Sequence, residues 1–363
     1  MKIAEILNFL DELAPLSYQE NYDNAGLIVG NADDDFSKGL ICFDVNERVV
    51  NEALSLGCNL IISHHPFLFH PLKKITNQSL VEKILVTAIK NDLALYAVHT
   101  NIDNVINGVN NCFSNKLLLE HTHILQPKKQ LLKKIVCFVP IDYADKVRTA
   151  LFDAGCGNIG KYDCCSYTMD GIGTFRAEQQ TNPFIGEIGK LHLENESRIE
   201  TVFPAYKENQ IVSALIKSHP YEEVAYDIYN LENTHKQVGS GMIGLLPFAM
   251  NEAEFLSYVK EKMNLSLIQH SKLSERKIKK VALCGGSGSF LIPDAISQQA
   301  DVFITGEIHY HDFLTYENTI LLASIGHYES ENEIKHYLYE KLIEKFTTFA
   351  VSKAETNPIG YYF

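Results

Sequence analysis

Long apolar runs are missing from this chain. No stretch approaches the roughly 20 residues that a membrane-spanning helix needs, so a membrane partner is not expected. Positive charge is scarce as well. Lys and Arg number 32 against 45 Asp and Glu, a net charge of −13, and the basic residues form only short clusters such as Lys128-Lys129 and 277–280. A general nucleic-acid binder needs a basic stripe, so no direct nucleic-acid contact is expected. No CxxC pair occurs among the eight cysteines (42, 58, 112, 137, 156, 164, 165, 284), and most lie in apolar contexts. Reduced structural thiols in a cytoplasm fit that pattern. The adjacent Cys164-Cys165 reads as two more core residues, with a thiol site as the alternative. The first residues, MKIAEILNFLDELAPL, place Ile3, Ile6, Leu10 and Leu13 at helical spacing with acids between them. An amphipathic helix is expected there, not a signal peptide.

What is present is an alternation of strands and helices. At 363 residues the chain exceeds a typical single core, and two domains are expected. Strands are expected at 39–44, 59–63 and 93–98, with helices at 47–56, 79–90 and 107–117. The pattern resumes late, with strands at 279–284, 301–305 and 319–325, a helix at 292–299 and a long amphipathic helix at 331–346. Such alternation predicts an α/β fold with a mainly parallel sheet covered by helices. Ligands in such sheets bind beyond the carboxyl ends of the strands.

Between these halves lies something different. After the polar break Pro127-Lys128-Lys129-Gln130, three motifs repeat at an offset of 64 residues. Phe138-Val139-Pro140 matches Val202-Phe203-Pro204; Val147, Ala150 and Leu151 match Ile211, Ala214 and Leu215; Tyr162-Asp163 matches Tyr226-Asp227. Each copy reads strand, helix, strand, which gives a βαββαβ, ferredoxin-like unit. The expected organisation is therefore a discontinuous α/β domain, 1–130 with 233–363, interrupted by an insert at 131–232. Insertions of this length are tolerated because loop-closure cost grows slowly with length.

The residues able to carry chemistry cluster just after strands. Cys58-Asn59-Leu60-Ile61-Ile62-Ser63-His64-His65-Pro66 is a buried strand that stops at two histidines, with a proline barring its regular continuation. Neighbouring side chains on a strand diverge, so His64 and His65 can serve two ions. His99-Thr100-Asn101-Ile102-Asp103 follows the next strand, and Gly326-His327-Tyr328-Glu329-Ser330-Glu331 follows the last. Ser330-x-x-Glu333 reads as a capping box, which starts the helix at Glu331 and leaves His327 in the preceding loop. These three strand ends supply His64, His65, Asp103, His327 and Glu331, with His99 a sixth candidate. One catalytic zinc takes three protein ligands, so five or six imidazole and carboxylate donors point to two ions sharing a carboxylate. The donor set suits Zn, Mn, Fe, Co or Ni, and a pair of such ions can polarise a water and a phosphoryl or carbonyl oxygen.

Three further segments are open to two readings each. The loop Cys284-Gly285-Gly286-Ser287-Gly288-Ser289 is either an anion cradle or a tight structural turn. Glu307 and His311, in TGEIHYHD, are either supporting or substrate residues of the site, or plain loop polarity. Asp23-Asn24-Ala25-Gly26-Leu27 is either a turn or a wall of the site.

With these motifs in place, the chain resembles the NIF-three-like proteins, often labelled type-two GTP cyclohydrolase I homologs. The matching stretches are YDNAGLIVG (22–30), SHHP (63–66), HTNID (99–103), CGGSGS (284–289), TGEIHYHD (305–312) and GHYESE (326–331). The resemblance implies a dinuclear metal centre with His64, His65, Asp103, His327 and Glu331 as ligands and Glu331 as the bridge. It also implies an insert similar to the PII and CutA proteins, carried by GCGNIGKYDCCSY (155–167), GIGTF (171–175) and HPYEEVAYD (219–227), and a ring-shaped homohexamer. Two departures are visible: Tyr22 stands where many members have tryptophan, and Lys161 interrupts the insert's Asn-Tyr pair. Two functions are in view. One is a metal-dependent hydrolase on a nucleotide such as GTP, with Glu329, Glu307 or a histidine moving protons. The other is a non-catalytic metal-handling or regulatory assembly whose insert binds an effector or a protein partner.

Overall fold

The chain is described from a computed structural model covering residues 1–354 and 357–360. Its contacts divide it into two compact units, Met1–Pro127 with Gln237–Phe363, and Lys128–Lys236. The second unit is wider than the 131–232 expected from the polar break and the repeat. The polar break at 127–130 falls at the end of one strand, Glu120–Lys128, and the return strand begins at His235.

The discontinuous unit holds two sheets, where the βα pattern alone suggested one. Its first strands are β1 (Gly26–Val29), β2 (Gly39–Cys42), β3 (Leu60–Ser63), β4 (Ala94–Ala97) and β5 (Glu120–Lys128). The insert contributes β6 (Leu132–Pro140), β7 (Ser166–Arg176), β8 (Leu191–Pro204) and β9 (Tyr226–Asn230). The chain then returns through β10 (His235–Asn251), β11 (Gln269–His270), β12 (Lys277–Cys284), β13 (Val302–Thr305), β14 (Leu321–Ser324) and β15 (Phe349–Val351). One sheet has the order β1-β4-β3-β2-β15, parallel except for β1. The other has the order β11-β14-β13-β12-β10-β5, in which β12, β13 and β14 are parallel while β10 and β11 run against them. Hydrophobic periodicity marks a strand but not its partner, and long β10 gives the returning strands a separate sheet to join.

Both faces of the first sheet are buried, which explains its unbroken apolar runs. Ile41, Leu60, Ile62, Ala94 and Tyr96 pack with helices Ile3–Leu13 and Ile334–Ile343. Leu40, Cys42, Ile61 and Leu95 turn the other way, against helices Glu47–Ser55 and Leu80–Lys90. The second sheet is sandwiched likewise, with Phe113, Phe255 and Val259 on one face and Leu291, Ile292 and Ala295 on the other.

The insert is an antiparallel sheet of order β7-β8-β6-β9 carrying helices Ala144–Asp153 and Glu208–Ser218. Ile135, Cys137, Val139, Ile199 and Phe203 form its core with Val147, Leu151, Ile211 and Leu215. The 64-residue offset holds for the first strand ends (Pro140, Pro204) and the helix starts (Ala144, Glu208). It fails at the third element. Tyr162 lies in a turn closed by its bridge to Ile159, and β7 begins only at Ser166. Cys164, at φ 52°, is exposed in that turn, so the Cys164-Cys165 pair is not part of the core.

Leu338 is fully buried on the helix that covers the first sheet, whereas Ile89 is 56% exposed. Leu338→Ala should cost about 2–5 kcal/mol through lost burial and the cavity left behind. Ile89→Ala should stay within about 0.5 kcal/mol. Urea denaturation followed by far-UV circular dichroism compares the two.

Candidate metal centre

The carboxyl ends of both parallel strand sets converge within the discontinuous unit. On the first sheet, the ladder continues past β3 as His64 N donates to Cys42 O and His65 N to Phe43 O, and Val98 N donates to Ser63 O. These bonds hold the two histidines and the segment after β4 side by side. Phe43 supports them from below: it is buried, its ring stacked on His64 at 5.3 Å and edge-on to His65 at 4.5 Å. Asp103 arrives on a short helix, Thr100–Asp103.

The second sheet supplies His327 and Glu331 by a different route from the one expected. Ser330 does not cap a helix beginning at Glu331. A helix runs from His327 to Glu331 behind Gly326, whose φ of 99° favours glycine, and the next helix starts at Ile334. Ser330 Oγ instead donates to His327 O and accepts from Gly286 N. His327 and Glu331 therefore stand at i and i+4 on one helical face.

Glu331 Oε2 is the centre of the arrangement. It lies 3.1 Å from His327 Nε2, 3.5 Å from His64 Nε2 and 3.5 Å from His65 Nε2. Asp103 Oδ1 is 3.7 Å from His64 Nε2, and the Nε2 atoms of His65 and His327 are 3.4 Å apart. Two ions bound at about 2.0–2.2 Å per donor would need neighbouring donors roughly 3.0–3.5 Å apart, close to these spacings. His65, His327 and Glu331 form one group that could hold an ion, and His64, Asp103 and Glu331 a second. Glu331 belongs to both.

The far side of each imidazole is already committed. His64 Nδ1 meets Val98 O at 2.9 Å, His65 Nδ1 meets Asp44 at 2.8 Å, and His327 Nδ1 meets Glu307 at 3.0 Å. His99 Nδ1 meets Asp23 at 2.7 Å. Each acceptor draws the ring proton to Nδ1 and leaves the Nε2 lone pair for the centre, the usual support for a metal-bound histidine. His64 Nε2, Asp103 Oδ1 and Glu331 Oε2 are all buried without a hydrogen-bond partner. Three such orphaned atoms facing one point are costly unless something binds them. A cation fits.

Electrostatics agree. Burial opposes ionisation of Glu331, yet His327, His64 and His65 hold its carboxyl well below the ordinary range. Burial and then the Glu331 charge push Asp103 well above its ordinary value. A dication beside Asp103 would favour its ionised form against both influences. Burial drives His64 down to about 4. At His65 burial works in the same direction, but Asp44 and Glu331 outweigh it and raise the ring to about 10. Cys284, at the end of β12, is buried and held as a thiol by burial and by Asp103 and Glu331 nearby, and it joins none of the ligand groups among the described residues.

The segments left with two readings now separate. In the glycine loop, Gly285 N donates to Asn110, Gly286 N to Ser330 and Gly288 N to Thr305, so these amides are not free to cradle an anion. The loop is a wall. At φ 60°, Gly286 lies where a Cβ would stand 2.4 Å from Glu331 Oε1. Glu307 supports His327, while His311 is exposed, with its ring against Tyr310 and no place in the cluster among the described residues. Asp23 is a wall of the site through His99 and Thr100. His99 groups with His64 and His65. Asp44 and Asn110 were not singled out by sequence. Asp44 follows β2, a fourth strand end, beside β3, and that position was its available signal. Asn110 joins the Asp103 backbone to Gly285, a link that no spacing reveals.

Fold and site define an α/β protein with buried histidine–carboxylate groups able to hold metal ions. The chain belongs to the Duf34/NIF3 (NGG1p interacting factor 3) family, whose model matches residues 1–358. A Bacillus subtilis relative named GTP cyclohydrolase 1 type 2 homolog is 36% identical, over 98% of each chain. A solved Bacillus cereus protein related to NIF3 is 35% identical with a TM-score of 0.88, covering 100% of this chain and 99% of that one. A Staphylococcus aureus structure at 28% identity and TM-score 0.78 has the same coverage. No helix of the described residues is long and apolar enough to cross a membrane.

Asp44→Asn and Glu307→Gln each keep shape but weaken an Nδ1 anchor, and should lower metal affinity about 10–100-fold without unfolding the chain. Chelator competition measures the loss. Metal must also displace a proton from His65 below about pH 10. Affinity should therefore rise as the buffer is taken from slightly acid to slightly alkaline, in the same assay.

Proposed function

We propose that this chain is a metal-dependent hydrolase acting on a nucleotide-type substrate, with GTP the first to test. The convergence of three imidazole Nε2 atoms and the Asp103 carboxylate on Glu331 Oε2 carries the reading. His65 and His327 would hold one divalent ion, His64 and Asp103 the other, and Glu331 would bridge them. Imidazole and carboxylate donors without cysteine suit Zn, Fe, Mn, Co or Ni. When bound, such a pair supplies Lewis-acid activation of water and of a carbonyl or phosphoryl oxygen.

The remaining work falls to the protein. Asp44, Glu307, Asp23 and Val98 O orient the rings, so little reorganisation is needed when charge develops. His99 stands against His64 and His65 with Nδ1 anchored on Asp23, leaving Nε2 to hold or pass a proton at the rim. Glu307, exposed beside His327, is a second group placed to move protons, although Ser287 holds its carboxyl below the ordinary value and so weakens it as a base. The relatives' printed name, GTP cyclohydrolase 1 type 2 homolog, supports a purine nucleotide as the starting substrate. We infer a cytoplasmic location from the reduced, CxxC-free cysteines, and a homohexamer from the resemblance carried by the sequence motifs.

Chain purified without added metal should carry close to two divalent ions, and the metal-loaded form should turn over GTP or another nucleotide. His64→Ala with His65→Ala should remove both metal and turnover. Elemental analysis and a panel of nucleotides and phosphoesters read the outcome. Turnover equal in wild type and variant would contradict the proposal.

A further inference from the structure

Two large aromatic side chains stand in water on loops that adjoin the metal centre. Tyr22 is 74% exposed and Phe69 47%. Single exposed apolar residues are ordinary on a protein surface. These two differ in where their backbones are fixed. Tyr22 precedes Asp23, whose carboxylate holds His99 Nδ1 at 2.7 Å and also binds Thr100 N at 3.0 Å. Phe69 follows Leu68, whose carbonyl accepts from Asn24 Nδ2 at 2.7 Å, so the two loops are tied together. The Phe69 ring then meets His99 edge-on at 5.7 Å, and His99 itself stands edge-on to His64 and His65. Tyr22, one residue before Asp23, is thereby fixed on the His99 side of the site.

We infer that Tyr22 and Phe69 form an aromatic grip at the mouth of the metal centre, which takes a flat heteroaromatic ring of the substrate. A heteroaromatic ring gains from stacking on Tyr or Phe because apolar area and complementary ring charge act together. Loops placed on a rigid scaffold are where such specificity contacts belong. This deepens the nucleotide reading above and rests on it for the identity of the ring as a base. The grip would select substrates by the ring, whereas the metal centre acts on whatever oxygen or carbon the ring presents to it.

The test compares binding of GTP, ATP, UTP and inorganic triphosphate to metal-loaded full-length chain by calorimetry. Wild type should bind at least one ring-bearing probe roughly tenfold tighter than triphosphate, the gain worth one or two aromatic contacts. Tyr22→Ala combined with Phe69→Ala should bring that ratio close to one, with metal content unchanged. Tyr22→Phe and Phe69→Tyr should preserve it, which separates the grip from a folding defect. A wild-type ratio near one for every probe, or a ratio unchanged in the double alanine variant, overturns the grip. Ring-dependent binding without turnover supports the grip and counts against the hydrolase reading. Turnover whose ring preference survives the double variant overturns the grip and leaves the hydrolase standing.

Discussion

A buried carboxylate surrounded by three imidazoles constrains most of this structure. Glu331 is only 5% exposed, and a buried charge is tolerated only when it is paired. Its position demands a glycine at 286, because the loop after β12 passes where any side chain would meet its oxygens. It requires the short helix His327–Glu331, which brings His327 to the same face. Ser330, between them, turns inward to hold the Gly286 amide and so fixes the wall against which Glu331 lies. The loop, the helix and the wall make one construction.

A second layer turns that construction into a site. Four histidines approach the centre, and each has its outer nitrogen engaged by a carbonyl or carboxylate from a different part of the chain. Val98 O and Asp44 come from the first sheet, Glu307 from the second, and Asp23 from the loop before β1. The Nε2 atoms are thereby aimed before anything binds, so most of the ordering cost falls on folding. Aromatic packing strengthens this: Phe43 touches His64, His65 and Tyr328, coupling the strand ends to the His327 helix.

Much of this was legible in the sequence, and the gaps have physical causes. His64 and His65 stood out because two polar residues end a strand that is otherwise buried on both faces. Asp103, His327 and Glu331 followed from the rule that chemistry collects after parallel strands, and the structure brings all five together. The helix carrying His327 was misplaced because Ser330-x-x-Glu333 is a good local capping signal, and a tertiary bond from Gly286 outcompeted it. Two sheets were read as one because alternation reveals strands and not their neighbours. Asp44, Asn110 and the roles of Asp23 and Glu307 depend on contacts between residues 20 to 175 apart in sequence. No local pattern encodes those distances. In the insert, the repeat held where strand and helix must pack on the shared core, and failed at Tyr162, in a surface turn free of that demand.

Glu331 is proposed to join two ion sites in one chain. Anomalous-scattering crystallography of the metal-loaded protein tests it most directly. The account predicts two peaks roughly 3.5–4 Å apart, one among His65, His327 and Glu331 and the other among His64, Asp103 and Glu331. A single peak that leaves Asp103 or His327 uncoordinated at saturating metal, or peaks away from Glu331, would contradict it.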